Sequence, residues 1–74
     1  MLNELYFIMA EPIDSYKLGA IRVTVTPTER PNKLLIECFD GEFKSSFTVS
    51  EYEFTNYRRL MNQRITEAYA KERD

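Results

Sequence analysis

The feature that most constrains the fold is an Asp-Gly pair between two apolar segments in the middle of the chain. Asp40 and Gly41 separate residues 33–39 from residues 42–49. Such a pair is a strong local signal for a β-hairpin, because glycine readily adopts the positive φ angles of a tight turn whose twist matches the strands. The sequence therefore predicts an antiparallel hairpin with strands at residues 33–39 and 42–49.

A two-residue turn also predicts which residues lie opposite each other. It pairs Cys38 with Phe43 on one face and Glu37 with Lys44 on the other. The first face is predicted to belong to the core. The opposite charges of the second pair are typical of an exposed face. Two apolar residues share that exposed face: Leu35 and Phe39.

A helix is predicted to begin after Ser50. Ser50 and Glu53 have the spacing of a capping box, and Glu51 and Glu53 complement the positive end of the helix dipole. Apolar residues then recur at helical spacing: Phe54, Tyr57, Met61, Ile65 and Ala68. This pattern predicts one long helix over residues 51–72, with its last turns projecting past the sheet.

Two further strands are predicted upstream of the hairpin. Residues 20–26 alternate between apolar and polar, which indicates a half-buried strand that stops at Pro27. The apolar content of residues 3–10 favours another strand, although Leu2, Leu5 and Met9 also have helical spacing. Residues 11–19 are predicted to be a loop that folds back over one edge of the sheet.

These elements predict one α+β domain over residues 1–74. Consecutive elements are usually neighbours in space, so the strands are expected to form a four-stranded, mainly antiparallel sheet in β-β-β-β-α order. One long C-terminal helix is expected to pack on one face of that sheet. A chain of 74 residues is long enough for one hydrophobic core.

The residue types exclude most catalytic chemistry. The chain has no histidine, which removes the commonest general base and metal ligand. Cys38 is the only cysteine, and its predicted core position makes it a small inert apolar group. Glu37 and Glu42 are expected to be solvated on the open sheet, which does not suit catalytic carboxylates. We therefore predict no enzyme, no cofactor and no metal site.

Localisation is predicted from the cysteine content and the N-terminal segment. A single cysteine fits a reducing compartment. The segment from Met1 to Ala10 carries Glu4 and lacks the basic flank of a signal peptide. No apolar stretch approaches the roughly 20 residues that span a bilayer. The expectation is a cytoplasmic protein that does not contact a membrane.

The charge pattern bears on the class of partner. The formal net charge is −2, from 12 acidic and 10 basic residues that are interspersed along the chain. Nucleic-acid binding is disfavoured because it requires a basic surface, and the sequence has no basic block. It stays an alternative, since a four-stranded sheet with an exposed aromatic residue can stack bases.

Binding candidates are residues outside the predicted core that could form contacts with a partner. Tyrosine and arginine are enriched at binding hot spots, and paired apolar residues can seed an exposed patch. The candidates on the open sheet face are Leu35, Glu37, Phe39 and Lys44; those on the outer helix face are Tyr52, Asn56 and Arg59; Tyr16 is a candidate in the 11–19 loop. A homodimer through the open sheet face is a further alternative.

In its size, acidity and lack of catalytic residues, the chain resembles the short acidic proteins that phages and other mobile elements encode. The resemblance implies an inhibitor that occludes a surface of a larger host protein, such as a CRISPR effector or an RNA polymerase. The sequence thus predicts a small non-enzymatic protein-binding domain. The alternative is a nucleic-acid-binding protein, or a regulatory or structural subunit, that uses the open sheet face.

Overall fold

A computed structural model describes residues 11–74. The elements are β1 (Asp14–Leu18), β2 (Ile21–Pro27), β3 (Lys33–Phe39), β4 (Lys44–Ser50), α1 (Glu51–Asn56) and α2 (Arg58–Arg73). The four strands form one antiparallel sheet in the order β1-β2-β3-β4. The predicted α+β class, a four-stranded antiparallel sheet followed by a C-terminal helix, is confirmed.

The first strand of the described sheet lies where the sequence predicted a loop. Residues 14–18 form β1, which pairs with β2 from Asp14 opposite Val25 to Leu18 opposite Ile21. The prediction of a loop over residues 11–19 is therefore wrong. Pairing with β2 satisfies the backbone of this segment, and Tyr16 and Leu18 pack against the core. The predicted strand at residues 3–10 lies outside the described residues.

The register between β3 and β4 differs by two residues from the prediction. Cys38 lies opposite Ser45 rather than Phe43. The connection is four residues long, because the Asp40 carboxylate accepts hydrogen bonds from the backbone N–H groups of Glu42 and Phe43, at 2.9 and 2.8 Å. Side chains alternate with a period of two, so this shift leaves every strand residue on its predicted face.

The predicted helix over residues 51–72 is interrupted at Tyr57, whose φ and ψ angles are −130° and 50°. Its predicted start is confirmed: the Ser50 side chain accepts a hydrogen bond from the Glu53 backbone N–H at 3.2 Å. At the interruption, the Phe54 carbonyl accepts a hydrogen bond from the Arg58 side-chain Nε at 3.2 Å. The break turns Tyr57 out of the predicted buried stripe, and its side chain is 53% exposed.

The hydrophobic core lies between one face of the sheet and the helices. The sheet contributes Val23, Val25, Leu34, Ile36 and Cys38; the helices contribute Phe54, Met61, Ile65 and Tyr69. In the part of the chain described, α1 and α2 cover this face and leave the opposite face of the sheet open. Neither helix of residues 11–74 has the length and apolar content needed to cross a membrane.

Asn32, in the loop between β2 and β3, holds the beginning of α1 against the sheet. Its φ angle of 61° is in the left-handed region, which asparagine tolerates better than most residues. Its backbone carbonyl accepts a hydrogen bond from the Glu51 N–H at 3.1 Å, and its side-chain oxygen accepts one from the Tyr52 N–H at 2.9 Å. Asn32 therefore adds to the capping by Ser50.

The last turns of α2 pack on the turn between β3 and β4. Arg73 lies 2.7 Å from the Asp40 carboxylate, and the Tyr69 hydroxyl donates to the Phe43 carbonyl. Next to Arg73, Glu72 accepts a hydrogen bond from the Ser45 hydroxyl of β4 at 2.6 Å. The prediction that the helix projects past the sheet is wrong, because these polar contacts tie its end to the hairpin.

Candidate binding surfaces

Four residues, one from each strand, form a row across the open face of the sheet. Lys17 lies opposite Arg22, Arg22 opposite Phe39, and Phe39 opposite Lys44. All four are exposed, with Phe39 at 45%. The row faces away from the helices, because the next residue along β3, Cys38, is fully buried on the covered face. We call these four residues the basic row.

Half of the basic row was predicted from the sequence. Phe39 and Lys44 were expected on this face, whereas Lys17 and Arg22 were not among the candidates. Their inclusion depends on the pairing of β1 with β2, and β1 was predicted to be a loop. The alternation of residues 20–26 placed Arg22 on a polar face, and the β2–β3 pairing would have brought it beside Phe39.

Next to the basic row lies a second row that is mostly hydroxylic: Ser15, Thr24, Glu37 and Ser46. The predicted pairing of Glu37 with Lys44 is wrong, because the four-residue turn places Ser46 opposite Glu37 and Phe39 opposite Lys44. The two rows still meet in a shallow depression of about 260 Å³ lined by Arg22, Thr24, Glu37, Phe39 and Lys44. Leu35 is half-buried one row further along β3, opposite Thr26 and Thr48.

Most basic side chains of residues 11–74 have no carboxylate partner, and the three bases of the basic row are among them. Carboxylates lie within 4.0 Å of Arg58 and Arg73 alone among the described basic residues. Lys17 and Arg22 are directly opposite each other on neighbouring strands. Like charges in that position destabilise a sheet. The open face therefore carries a concentrated positive charge that the described fold does not neutralise.

The outer helix face presents an aromatic pair. Tyr52 is 60% exposed and packs edge-on against Tyr57, with 6.2 Å between ring centroids. Asn56 donates a hydrogen bond to the Tyr52 carbonyl at 2.9 Å, so its amide supports the helix. Arg59 is exposed, and Leu60 is 47% exposed. Tyr57 and Leu60 were not predicted for this surface, because an uninterrupted helix would have placed them at or beside the buried stripe.

Tyr16 belongs to β1, not to a loop as predicted. Its hydroxyl donates to the Asn62 side chain at 2.7 Å, and its ring lies 6.5 Å from that of Phe54. The Arg58 guanidinium lies over both rings, at 5.4 Å from Tyr16 and 3.9 Å from Phe54. Burial raises the pKa of Tyr16 above its ordinary value. Through these contacts, Tyr16 packs β1 against the two helices.

Cys38 is fully buried, as predicted from its core position. Burial raises the pKa of its thiol to about 11, so the reactive thiolate is scarce at neutral pH. Among residues 11–74, no group of three or more histidine, cysteine, aspartate or glutamate side chains could hold a metal ion.

A second groove lies between β4 and α2 and has a volume of about 340 Å³. Its apolar lining consists of Phe47, Val49, Met61, Ile65 and Ala68. Residues of both charge signs contribute to its wall: Lys33, Glu53 and Arg64. The groove therefore does not favour one sign of charge in the way that the basic row does.

Comparison with protein-family models, with curated proteins and with solved structures found no match for this chain. The function proposed below rests on the chain's own residues and their geometry.

Proposed function

We propose that this chain is a small non-enzymatic binding domain that covers a surface of a larger protein with the open face of its sheet. The observation that carries the proposal is the position of Phe39. This apolar ring is 45% exposed between Arg22 and Lys44, which are its neighbours across the sheet. A large apolar side chain surrounded by polar ones is typical of a hot spot at a protein interface.

The sheet beneath Phe39 supports this proposal because it is a rigid platform. Phe39 is on β3, which has a paired strand on each side. Its neighbour Cys38 is fully buried in the core. A backbone that strand pairing already holds in place loses little conformational entropy when the surface meets a partner.

The size of the face fits the same mechanism. A standard interface buries about 800 Å² on each partner. The accessible surface of the protein is 5729 Å², so such an interface takes about one seventh of it. One face of a four-stranded sheet can supply that area, and a bound domain of this size excludes other ligands from the surface that it covers.

The finer form of the proposal is that the protein inhibits its partner by occlusion, as an anti-defence protein of a phage or mobile element does. Its support is the combination of small size, acidity and lack of catalytic residue types that the sequence analysis described. The absence of histidine and the burial of Cys38 support a function without catalysis.

Nucleic-acid binding through the same face is a second candidate. Three bases, one exposed aromatic ring and several hydroxyl groups on an open sheet favour it. Single-stranded nucleic acids bind sheets by stacking bases on aromatic rings while cations contact the phosphates. The test below separates the two candidates.

The test is affinity recovery of a partner with the tagged full-length chain from a nuclease-treated lysate of its native host. The bait is compared with Phe39→Ala and with the matched control Tyr52→Ala, which also removes an exposed aromatic ring. We expect the wild-type chain and Tyr52→Ala to recover the same dominant protein, and Phe39→Ala to lose it. Calorimetry with that purified protein then measures the loss of affinity.

Two results would contradict the proposal. One is a partner protein that is recovered equally well by Phe39→Ala, since the open sheet face would then not be the binding surface. The other is a partner that is recovered from an untreated lysate but not from the nuclease-treated one, which would favour the second candidate.

A further inference from the structure

We propose that the open sheet face selects an acidic protein segment in which carboxylates flank an apolar residue that packs on Phe39. This inference rests on the proposed function and specifies the chemistry of its partner. The basic row, with Phe39 between Arg22 and Lys44, is the observation from which it follows.

Positive charge is concentrated on the open face of the sheet. The whole chain has 12 acidic and 10 basic residues, yet three bases meet in one row of the open face. Glu37 is the only acidic residue among the open-face positions of the described strands. The two sides of an interface have complementary electrostatic potentials. A positively charged face on an acidic protein therefore favours a negatively charged partner.

The three bases of the basic row make no ion pair within 4.0 Å among residues 11–74. Arg58 and Arg73 contact carboxylates and lie over aromatic rings, so both contribute to packing. Lys17 and Arg22 instead lie opposite each other, an arrangement that costs stability. A local arrangement that opposes the fold is typical of a functional site. A bound carboxylate between the two cations would remove the repulsion.

The length of the basic row matches the side-chain spacing of a short extended peptide. Neighbouring strands are about 4.8 Å apart, so the basic row spans about 14 Å from Lys17 to Lys44. In an extended segment, side chains on the same side recur about every 7 Å. A segment of about five residues that crosses the strands can therefore bring acidic side chains to both ends of the row. Phe39 lies inside the row, so the residue between the acids should be apolar.

Glu37 favours a protein segment over a nucleic acid as the ligand of this face. Glu37 lies in the same depression as Arg22, Phe39 and Lys44. A protein segment can place a backbone N–H or a basic side chain opposite Glu37. A nucleic acid carries a phosphate at every nucleotide and would meet repulsion there. Phe39 is also the one aromatic residue on the open-face positions of the described strands, which provides a single stacking position.

The test uses defined probes on the ¹⁵N-labelled full-length chain. The probes are the synthetic peptide Glu-Ser-Leu-Ser-Glu, whose extended form places two glutamates and the leucine between them on one side, the same peptide with lysine in place of glutamate, and a single-stranded oligothymidine of equal length. We expect the acidic peptide to shift the amide signals of Arg22, Phe39 and Lys44 at low salt and to bind more weakly as salt rises. We expect weaker binding of both other probes.

The matched variants are Arg22→Glu and Arg30→Glu. Both reverse one exposed arginine and change the net charge equally, but Arg22 is in the basic row and Arg30 is in the loop between β2 and β3. Loss of about 1 kcal/mol of charge interaction corresponds to a change of about fivefold in the dissociation constant. We therefore expect Arg22→Glu to weaken binding of the acidic peptide about fivefold, and Arg30→Glu to leave it unchanged.

Each remaining outcome overturns the inference. Tighter binding of oligothymidine would assign the face to nucleic acid, and equal binding of the lysine peptide would show that charge is not selected. Absence of binding by the acidic peptide would also refute it. In the lysate experiment, a partner that depends on Phe39 but tolerates Arg22→Glu leaves the proposed function standing without this inference. A partner that tolerates Phe39→Ala contradicts the proposed function itself.

Discussion

The covered and open faces of the sheet are built from the same strands, but they arrange their basic residues in opposite ways. On the covered side, the Arg58 guanidinium lies 3.9 Å from the Phe54 ring centroid and 3.5 Å from the Asp14 carboxylate. On the open side, Lys17 and Arg22 lie opposite each other, with no carboxylate within 4.0 Å among residues 11–74. Charge is neutralised on the first face and concentrated on the second.

The difference shows that the buried core depends on the covered face, and under the proposed function the open face is the one that meets a partner. Leu35 and Ile36 are adjacent on β3, yet Ile36 is fully buried and Leu35 is only half-buried. Because side chains alternate along a strand, the chain can bury one set and present the other to a partner. Substitutions on the covered face should therefore change the free energy of unfolding, and substitutions on the open face should change binding.

The largest expected effect is that of Ile36→Ala on the covered face. Truncation of a buried isoleucine costs about 2–5 kcal/mol, because it removes apolar contacts and leaves a cavity. That is comparable with the roughly 3–5 kcal/mol that stabilises a domain of this size. We expect Ile36→Ala to unfold in little or no urea. Urea denaturation followed by circular dichroism measures the effect.

Two further variants keep this prediction testable if Ile36→Ala does not fold. Ile36→Val should remain folded and lose about 1 kcal/mol, because it removes a single methyl group. Leu35→Ala, on the opposite face of the same strand, should lose about 1 kcal/mol or less. An equal cost for Ile36→Ala and Leu35→Ala would show that the two faces do not differ as described.

The next effect compares one arginine from each face. Arg58→Met removes the hydrogen bond to the Phe54 carbonyl and the charge over its ring, and should cost about 1–2 kcal/mol. Arg22→Met preserves much of the side-chain volume but removes one of two like charges, so it should cost nothing measurable or stabilise slightly. Urea midpoints of the two variants provide the measurement. Equal destabilisation by both would contradict the assignment of Arg22 to recognition.

Local signals predicted the parts of this fold that depend on neighbouring residues. Ser50 begins the helix because its side chain is three residues from the N–H that it caps. The faces of β2 and β3 follow from alternation, which needs no knowledge of the pairing partner. Phe39 and Cys38 were therefore assigned to the correct faces even though the register was wrong.

The length of the turn is a local feature that an Asp-Gly pair alone does not indicate, because the Asp40 side chain accepts hydrogen bonds from backbone N–H groups two and three residues further on. The other features depend on contacts that distant residues make. The break at Tyr57 is accompanied by contacts of Arg58 with Asp14 and Tyr16, which come from another strand. Similarly, the basic row exists only once β1 is paired, so charges that are scattered in sequence become one surface.

A smaller effect concerns pH and the turn on the covered side. Backbone N–H groups of Phe43 and Glu42 lower the pKa of Asp40 below its ordinary value of 3.8, and Arg73 acts in the same direction. A lowered folded-state pKa stabilises the protein above the unfolded-state value, and this contribution is lost as the pH falls through the folded-state pKa. We expect Asp40→Asn to be less stable than wild type at neutral pH and to approach it in acid.

Arg73→Gln separates the two causes of this pH dependence. The backbone hydrogen bonds have the larger influence on the pKa of Asp40, so Arg73→Gln should preserve most of the pH dependence that Asp40→Asn removes. Urea midpoints measured from neutral pH to below 3.8 test this. If Arg73→Gln removes the pH dependence completely, the ion pair and not the turn controls this carboxylate.

The smallest expected change in the free energy of unfolding is a stabilisation, and it concerns the open face. Lys17→Glu converts the like-charge pair with Arg22 into an attractive pair, and we expect it to stabilise the free protein by about 0.5 kcal/mol. A double-mutant cycle with Arg22→Glu isolates the interaction energy between the side chains at positions 17 and 22, because the double variant restores like charges there. Zero coupling energy in the cycle would show that the two side chains avoid each other in solution. If instead the stabilising variant also binds the acidic peptide more weakly, the repulsion is a cost that the free protein bears for its partner.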